Sequence, residues 1–174
     1  LALRVAAKAN TRVVVLDRPN PIGGAQVEGG LTGQDFTSFV GMWPLPTRHG
    51  LTIGEVVSLL NVREGFGGDL EVVEMTGWRR DMYHDETGLP WVQPSPNMPP
   101  LDTAIVYPGM CLLEGTLMSE GRGTTRPFEL VGADFVDPFA LCAALADTPT
   151  AGIGYRPVFF QPTFHKFGGQ TIGG

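Results

Sequence analysis

A glycine-rich turn, residues 119–126, carries the side chains of this sequence that are best suited to chemistry. Glu120 and Arg122 each precede a glycine there, and Thr124 adds a hydroxyl. Because glycine has no Cβ, we expect the backbone N–H groups of the turn to be open to a ligand and Arg122 to project freely. Glu114 lies shortly upstream, and two nearby carboxylates are what glycoside hydrolysis requires. The turn therefore predicts a site for an anionic or polyhydroxyl ligand; the alternative is a tight surface turn with its charges in solvent.

A second polar segment, residues 17–21, follows a predicted strand and reads Asp-Arg-Pro-Asn-Pro. Each proline keeps the residue before it extended, so the segment is a stiff ribbon that presents Asp17, Arg18 and Asn20. Ligands of open α/β sheets bind beyond the carboxyl ends of the strands, which makes these three side chains candidate ligand contacts. The alternative is a rigid exit loop in which Asp17 and Arg18 pair with each other.

Arg48 and His49 stand just before a predicted helix, which Thr52 and Glu55 begin as a capping box. The N-terminus of a helix attracts anions, and we expect Arg48 and His49 to add to an anion site there. The alternative is that His49 only packs at the start of the helix. Further along, residues 78–97 hold two tryptophans, whose faces can stack on sugar rings, although structural packing is the commoner role of a tryptophan.

The elements that must position these segments indicate an α/β fold. Residues 1–9 predict a helix, and the β-branched run at residues 12–16 predicts a parallel strand buried on both faces. Other elements are predicted as strands at residues 70–75 and 155–160 and as helices over residues 52–64 and 137–146. A further helix over residues 102–113 is expected to be interrupted by Pro108 and Gly109.

The composition excludes several classes of protein. Hydrophobic residues make up 43% of the chain, which is enough for a core, but no apolar run approaches the roughly 18 residues of a membrane span. The net charge is −6 with no basic block, which argues against nucleic acid as a partner. The two cysteines are too few for a disulfide framework or a zinc cluster, and we expect no metal site. Because the chain begins at Leu1 within a predicted helix, we expect it to be part of a longer protein.

Seven phrases occur in an order that points to one family. They are LDRPNPIGG at 16–24, RHGLTIGE at 48–55, TGLPW at 87–91, PSPNMP at 94–99, YPGMCLLEGT at 107–116, SEGRGTTRPFE at 119–129 and FQPTFHKFGG at 160–169. Together they resemble the NamZ-like (YbbC) family of bacterial exo-β-N-acetylmuramidases, over nearly the whole chain. His165, beside Lys166 in the last phrase, is expected at the surface.

The resemblance implies a glycoside hydrolase that removes N-acetylmuramic acid from the non-reducing end of peptidoglycan fragments and needs no cofactor. Its fold would be α/β: residues 1–150 would be the C-terminal part of a Rossmann-like, layered catalytic domain, and residues 151–174 the start of a smaller, β-rich domain. Family members carry a Pro-Glu-His-Gly phrase upstream whose glutamate is a strong catalytic candidate, so this chain alone is expected to be inactive. The partner would be a peptidoglycan-derived saccharide, and a secreted, periplasmic or cell-envelope location is expected rather than a cytoplasmic one.

The resemblance also suggests roles for individual residues. Glu120 is the first candidate in this chain for the second catalytic carboxylate, and Glu114 is the next. Arg122 or Arg48 would pair with the lactyl carboxylate of the sugar, since a guanidinium suits an anionic ligand. The residues predicted to bind substrate are Asp17, Arg18, Asn20, Arg48, His49, Asn97, Tyr107, Arg122 and Thr124.

Two other functions remain open at the level of sequence. The first is a saccharide-binding module without turnover. The second is a phosphate or nucleotide binder built on the glycine-rich turn, against which the missing P-loop lysine argues. Under the leading interpretation, residues 17–20, 48–49 and 120–124 gather around one acidic amino sugar.

Overall fold

Helices and short strands alternate along the chain in the computed structural model, which describes residues 1–148 and 150–174. The first of two compact units, Leu1–Pro90, contains α1 (Ala2–Lys8), β1 (Val13–Leu16), β2 (Glu28–Leu31), β3 (Pro46–Arg48), α2 (Ile53–Arg63), β4 (Leu70–Val73) and 3₁₀ helices at Gln34–Phe36 and His84–Thr87. The second unit, Trp91–Gly174, contains α3 (Leu101–Met110), a 3₁₀ helix at Cys111–Gly115, α4 (Pro138–Ala146), β5 (Phe159–Phe160) and β6 (Ile172–Gly173). This division does not fall at residue 150, and the predicted domain boundary there stays a prediction.

A parallel pair of strands, β1 and β4, forms the centre of the first unit. Val13 lies opposite Leu70 and Leu16 lies opposite Val73, while α2 packs against both strands. This arrangement confirms the predicted α/β fold with a parallel sheet. The prediction that β1 is buried on both faces is wrong, because Val14 is 51% exposed and Leu16 is 59% exposed. Alternate side chains of a strand point to opposite faces, and only one face of β1 is partly covered by the described residues.

Helix α2 begins as its sequence predicts. The hydroxyl oxygen of Thr52 accepts a hydrogen bond from the backbone N–H of Glu55 at 3.2 Å, and the Glu55 carboxylate accepts one from the backbone N–H of Thr52 at 2.9 Å. Both contacts satisfy donors that a helix start would otherwise leave unpaired, so the capping box is confirmed. Gly65, just past the end of the helix, adopts a φ of +61°, a left-handed conformation that glycine tolerates best.

Helix α3 runs through Pro108, so the predicted interruption is wrong. A proline inside a helix removes the hydrogen bond to the carbonyl four residues earlier. Pro108 lies in the last turn, where few further bonds depend on it, and the chain then tightens into the 3₁₀ helix Cys111–Gly115. Proline therefore marks the approaching end of this helix without dividing it.

The third predicted strand is much shorter than its sequence suggests. The strand is Phe159–Phe160, which lies antiparallel to Ile172–Gly173 in a small sheet of the second unit. Val158 extends the pairing by one residue, through two backbone hydrogen bonds of 2.9 Å with Gly174. The prediction of a strand from residue 155 is wrong, since Pro157 cannot donate a hydrogen bond to a neighbouring strand. The largest fully buried apolar side chains of this unit are Phe128 and Ile172, each 1% exposed.

No helix among the described residues has the length and apolar character that crossing a membrane requires.

Candidate functional site

The carboxylate of Asp17, at the carboxyl end of β1, occupies the N-terminus of α2. Its Oδ1 atom accepts hydrogen bonds from the backbone N–H groups of Gly54 at 2.8 Å and Arg18 at 3.0 Å. Its Oδ2 atom accepts one from the hydroxyl of Thr52 at 2.7 Å, and Asp17 is only 8% exposed. A helix N-terminus favours negative charge, so the chain itself supplies the anion that we expected a ligand to provide.

Close packing at Gly54 explains how the carboxylate reaches the helix. A Cβ at this position would lie 2.9 Å from Cγ of Asp17 and 2.7 Å from a methyl group of Val72. Any side chain here would therefore push the helix away from both the carboxylate and the sheet.

Arg48 and His49, which we expected to bind an anion at this helix, form hydrogen bonds with other groups of the protein. The guanidinium of Arg48 donates to the carbonyl of Ile22 and the hydroxyl of Tyr83, each at 2.9 Å, and pairs with the Glu28 carboxylate at 2.7 Å. Nδ1 of His49 accepts a hydrogen bond from the backbone N–H of Leu51 at 3.0 Å. These contacts correspond to the alternative in which His49 packs at the helix start. Substrate binding by Arg48 and His49 stays a prediction.

Of the remaining polar side chains of the stiff ribbon, Asn20 binds the chain just before α2, and Arg18 does not. The amide of Asn20 donates to the carbonyl of Leu51 at 3.0 Å, and its oxygen accepts from the backbone N–H of Ile22 at 3.2 Å. Arg18 donates to the backbone carbonyl of Asp17 at 3.0 Å, and it is exposed. Arg18 is thus the ribbon side chain that presents a charge to solvent.

In the second unit, another segment of the chain packs against the glycine-rich turn. Gly121 and Gly123 have φ values of +82° and +83°, as the sequence suggests for a tight turn. A Cβ at Gly123 would lie 2.8 Å from backbone atoms of Phe164, and the N–H of Thr163 donates to the Gly123 carbonyl at 2.9 Å. The hydroxyl of Thr124 donates to the carbonyl of Gly121 at 2.6 Å. The space beside Gly123 is therefore occupied by protein backbone, and binding of a ligand by the N–H groups of the turn stays a prediction.

Glu120 is fully buried, at 0% exposure, among three basic side chains. Its Oε1 lies 3.2 Å from Nε of Arg122 and 3.4 Å from Nδ1 of His165, and its Oε2 lies 3.3 Å from Nζ of Lys166. Removing a carboxylate from water costs several kcal/mol unless opposite charge compensates it, and Arg122 and Lys166 supply that compensation. Glu120 therefore serves here as the centre of a charge cluster, which we call the Glu120 cluster, and it does not reach solvent.

Arg122 folds back over the unit, so the prediction that it projects freely is wrong. Its Nη2 lies 3.0 Å from Oε1 of Glu114, and its guanidinium carbon lies 5.1 Å from the centroid of the Phe128 ring. The side chains of Arg122 and Glu114 are 24% and 37% exposed. Of the two candidate carboxylates, Glu114 is the one that solvent can reach.

Tyr107 lies beside this pair. Its ring meets Phe128 edge-to-face, with centroids 4.8 Å apart and planes at 85°. Burial raises the pKa of Tyr107, the nearby Cys111 and Glu114 raise it further, and Arg122 acts in the opposite direction. Burial, with Glu114, also raises the pKa of the Cys111 thiol, which stays protonated at neutral pH and donates weakly to the carbonyl of Pro108. Cys111 therefore behaves as a packed thiol and not as a nucleophile.

The structure divides the predicted site residues between the two units. Asp17, Arg18, Asn20, Arg48 and His49 belong to the first unit, and Asn97, Tyr107, Glu114, Glu120, Arg122 and Thr124 belong to the second. Asn97 is half-buried, and its backbone N–H donates to the hydroxyl of Ser95 at 3.2 Å. The roles of these residues in catalysis and substrate binding stay predictions.

Sequence reasoning missed the contribution of His165 and Lys166. The side chain of His165 is 47% exposed, as expected for a surface residue, but its ring also faces Glu120. His165 and Lys166 are adjacent basic residues in a chain with only 12 lysines and arginines, and their adjacency was the signal in the sequence that could have pointed to a charge cluster. It could not be connected to a carboxylate more than 40 positions away without a structure.

Two family models, which describe consecutive parts of an exo-acting glycosidase, match nearly the whole chain. Residues 1–102 match the N-terminal model, and residues 105–174 match the C-terminal model, of exo-beta-N-acetylmuramidase NamZ. The chain belongs to the NamZ exo-β-N-acetylmuramidase family, which confirms the resemblance seen in its phrases.

Individual relatives agree with this assignment. The chain is 46% identical over 173 residues to the peptidoglycan beta-N-acetylmuramidase NamZ of Bacillus subtilis (strain 168), an alignment that covers 99% of this chain and 42% of that protein. It is also similar to crystal structures of two DUF1343 family proteins from Bacteroides fragilis NCTC 9343. The first has a TM-score of 0.90 and 35% identity, over 99% of this chain and 46% of the other. The second has a TM-score of 0.75 and 28% identity, over 98% and 45%. The chain thus spans less than half the length of these relatives.

We predict that the hydroxyl of Thr52 stabilises the first unit through both the helix cap and Asp17. Thr52→Ala removes both contacts and should lower the free energy of unfolding by about 2 kcal/mol. Thr52→Ser keeps the hydroxyl and should cost less than about 0.5 kcal/mol. Urea unfolding of the two variants measures the difference, and equal losses would contradict the role of the hydroxyl.

We predict that His49 makes stability depend on pH. Burial lowers the pKa of His49 below its ordinary value of 6.5, so folding favours the neutral ring. This contribution to stability is present above pH 6.5 and is lost as the pH falls from there through the pKa of the folded state. In His49→Asn, which keeps an acceptor for the N–H of Leu51, unfolding followed between pH 7.5 and 5 should lack this decline. A variant with the same pH dependence as the wild type would rule out His49 as its source.

Proposed function

We propose that this chain is part of an exo-β-N-acetylmuramidase that removes N-acetylmuramic acid from the non-reducing end of peptidoglycan fragments. The observation that carries the proposal is its 46% identity, over 99% of this chain, to a peptidoglycan beta-N-acetylmuramidase. The half-exposed Arg122–Glu114 pair supports it, because a muramic sugar bears a lactyl carboxylate and a guanidinium is the side chain best suited to bind one.

The chemistry needs an acid at the leaving oxygen and a second group that activates water or attacks the sugar carbon. We assign the acid to a glutamate outside this chain, in the Pro-Glu-His-Gly phrase that the family resemblance implies. Within the chain, exposure favours Glu114 over Glu120 for a direct role, since a carboxylate with no exposed surface has no route to a sugar hydroxyl or a water. The acetamido group of the sugar is the other possible nucleophile.

The fold supports a finer assignment as well. We propose that β1 and β4 belong to a Rossmann-like sheet in the full-length protein. Their parallel register and the packing of α2 on both strands are typical of such layered sheets, as is the polar ribbon at the carboxyl end of β1. A peptidoglycan substrate also favours a secreted, periplasmic or cell-envelope location.

The proposal is tested with a chromogenic N-acetylmuramic acid glycoside, offered to the full-length protein and to residues 1–174 alone. We expect turnover by the full-length protein and none by the shorter chain. Binding without turnover by the full-length protein would support the alternative of a saccharide-binding module. A full-length protein that cleaves only the matching N-acetylglucosamine glycoside would refute the substrate assignment.

We predict that Arg122→Ala in the full-length protein lowers kcat/KM at least about tenfold, or about 1.4 kcal/mol, because the variant loses the cation for the lactyl carboxylate. Arg126→Ala is the matched control, since Arg126 lies in the same turn but pairs with Glu129 at 2.9 Å. Steady-state kinetics compare the two. If Arg122→Ala has the same kcat/KM as the wild type, Arg122 does not bind the substrate.

We predict that the two candidate carboxylates respond differently to replacement by glutamine. Glu114→Gln should lower kcat about a hundredfold with little loss of stability, as expected for an accessible carboxylate that takes part in proton transfer. Glu120→Gln should lower the free energy of unfolding by about 3 kcal/mol, because Arg122 and Lys166 lose the buried carboxylate that balances their charge. Kinetics and thermal unfolding of both variants test this assignment, and the reverse pattern would restore Glu120 as the catalytic candidate.

A further inference from the structure

We propose that Lys166 is a positioning residue that holds both carboxylate partners of Arg122 and so sets the affinity of the site for an anionic sugar. The inference rests on the proposed function, which makes Arg122 the binding group for the lactyl carboxylate. It assigns a role to a residue that makes no contact with the sugar itself.

The ammonium group of Lys166 is surrounded by acceptors. Its Nζ donates to the backbone carbonyl oxygens of Leu113 at 3.2 Å, Glu114 at 3.0 Å and Met118 at 2.9 Å. An ammonium has three N–H donors, so these carbonyls account for all of them. The carboxylate of Glu120, 3.3 Å away, balances its charge, and the side chain is only 22% exposed. Lys166 therefore fixes the main chain on both sides of residue 116.

The two acidic residues that Lys166 contacts are also the partners of Arg122. One partner of its guanidinium is Glu114, whose backbone Lys166 holds, and the other is Glu120, whose carboxylate Lys166 faces. The guanidinium thus lies between two carboxylates whose positions depend on one lysine. Movement of either carboxylate would turn the guanidinium away from its place over the ring of Phe128.

Charge balance adds to the effect of geometry. Glu114 and Glu120 carry two negative charges, and Arg122 and Lys166 carry two positive charges. Without the ammonium, the group around Arg122 would be net negative and would repel an incoming carboxylate. Arginine at position 166 would restore the charge but not the contacts, because its planar guanidinium cannot direct donors at three carbonyls as an ammonium does.

The test compares two substrates in the full-length protein: a chromogenic N-acetylmuramic acid glycoside and its lactyl methyl ester, which has no negative charge. Lys166→Met should raise KM for the acid about tenfold or more and KM for the ester less than about threefold, with kcat changed less than KM. Lys166→Arg should also raise KM more for the acid than for the ester, but with a smaller difference between the two substrates. Lys8→Met is the matched control, since Lys8 is the other lysine of the sequence and lies exposed on α1.

Three results would overturn the proposal: an unchanged KM, equal rises for acid and ester, or full rescue by Lys166→Arg. If Lys166→Met does not fold, the double variant Lys166→Met/Glu120→Gln, which removes both charges of the Lys166–Glu120 pair, must show the same difference between acid and ester. Calorimetric binding of N-acetylmuramic acid provides a readout without turnover. A wild-type protein that neither binds nor cleaves either compound would refute the proposed function itself, whereas turnover with equal KM rises refutes only the role of Lys166.

Discussion

A carboxylate with no exposed surface needs positive charge beside it, and the second unit is organised around that need at Glu120. The basic side chains come from two separate stretches of sequence, Arg122 from the glycine-rich turn and His165 with Lys166 from the segment that packs on it. The glycines allow this approach, because a side chain at Gly123 would collide with the backbone of Phe164. Turn, basic pair and buried charge therefore depend on one another.

The first unit also buries a carboxylate, but different groups stabilise its charge. Asp17 is also buried, but backbone N–H groups at the start of α2 and the Thr52 hydroxyl stabilise its charge in place of a basic side chain. The strand exit and the helix start are thereby joined, and Asn20 reinforces the junction through the Leu51 carbonyl. The two units use the two physical means of burying a carboxylate, hydrogen-bond donors at a helix terminus and opposite charge.

Features that depend on neighbouring residues could be predicted from the sequence. The capping box of Thr52 and Glu55 and the parallel strand at residues 12–16 follow from local patterns, and the family follows from phrases in fixed order. The partners of Glu120 and the filled space over Gly123 could not be predicted, because both depend on residues about 40 positions away. The exposure of Val14 likewise reflects what packs on a strand, which the strand's own residues do not specify.

The shielding of Lys166 has a practical consequence for handling the protein. Its amine is committed to three carbonyls and one carboxylate, whereas Lys8 stands exposed on α1. Reagents that attack primary amines, such as dyes or activated resins, should therefore react with Lys8 and spare Lys166. Attachment through amines would tether this part of the molecule by its first helix and leave the Glu120 cluster chemically intact.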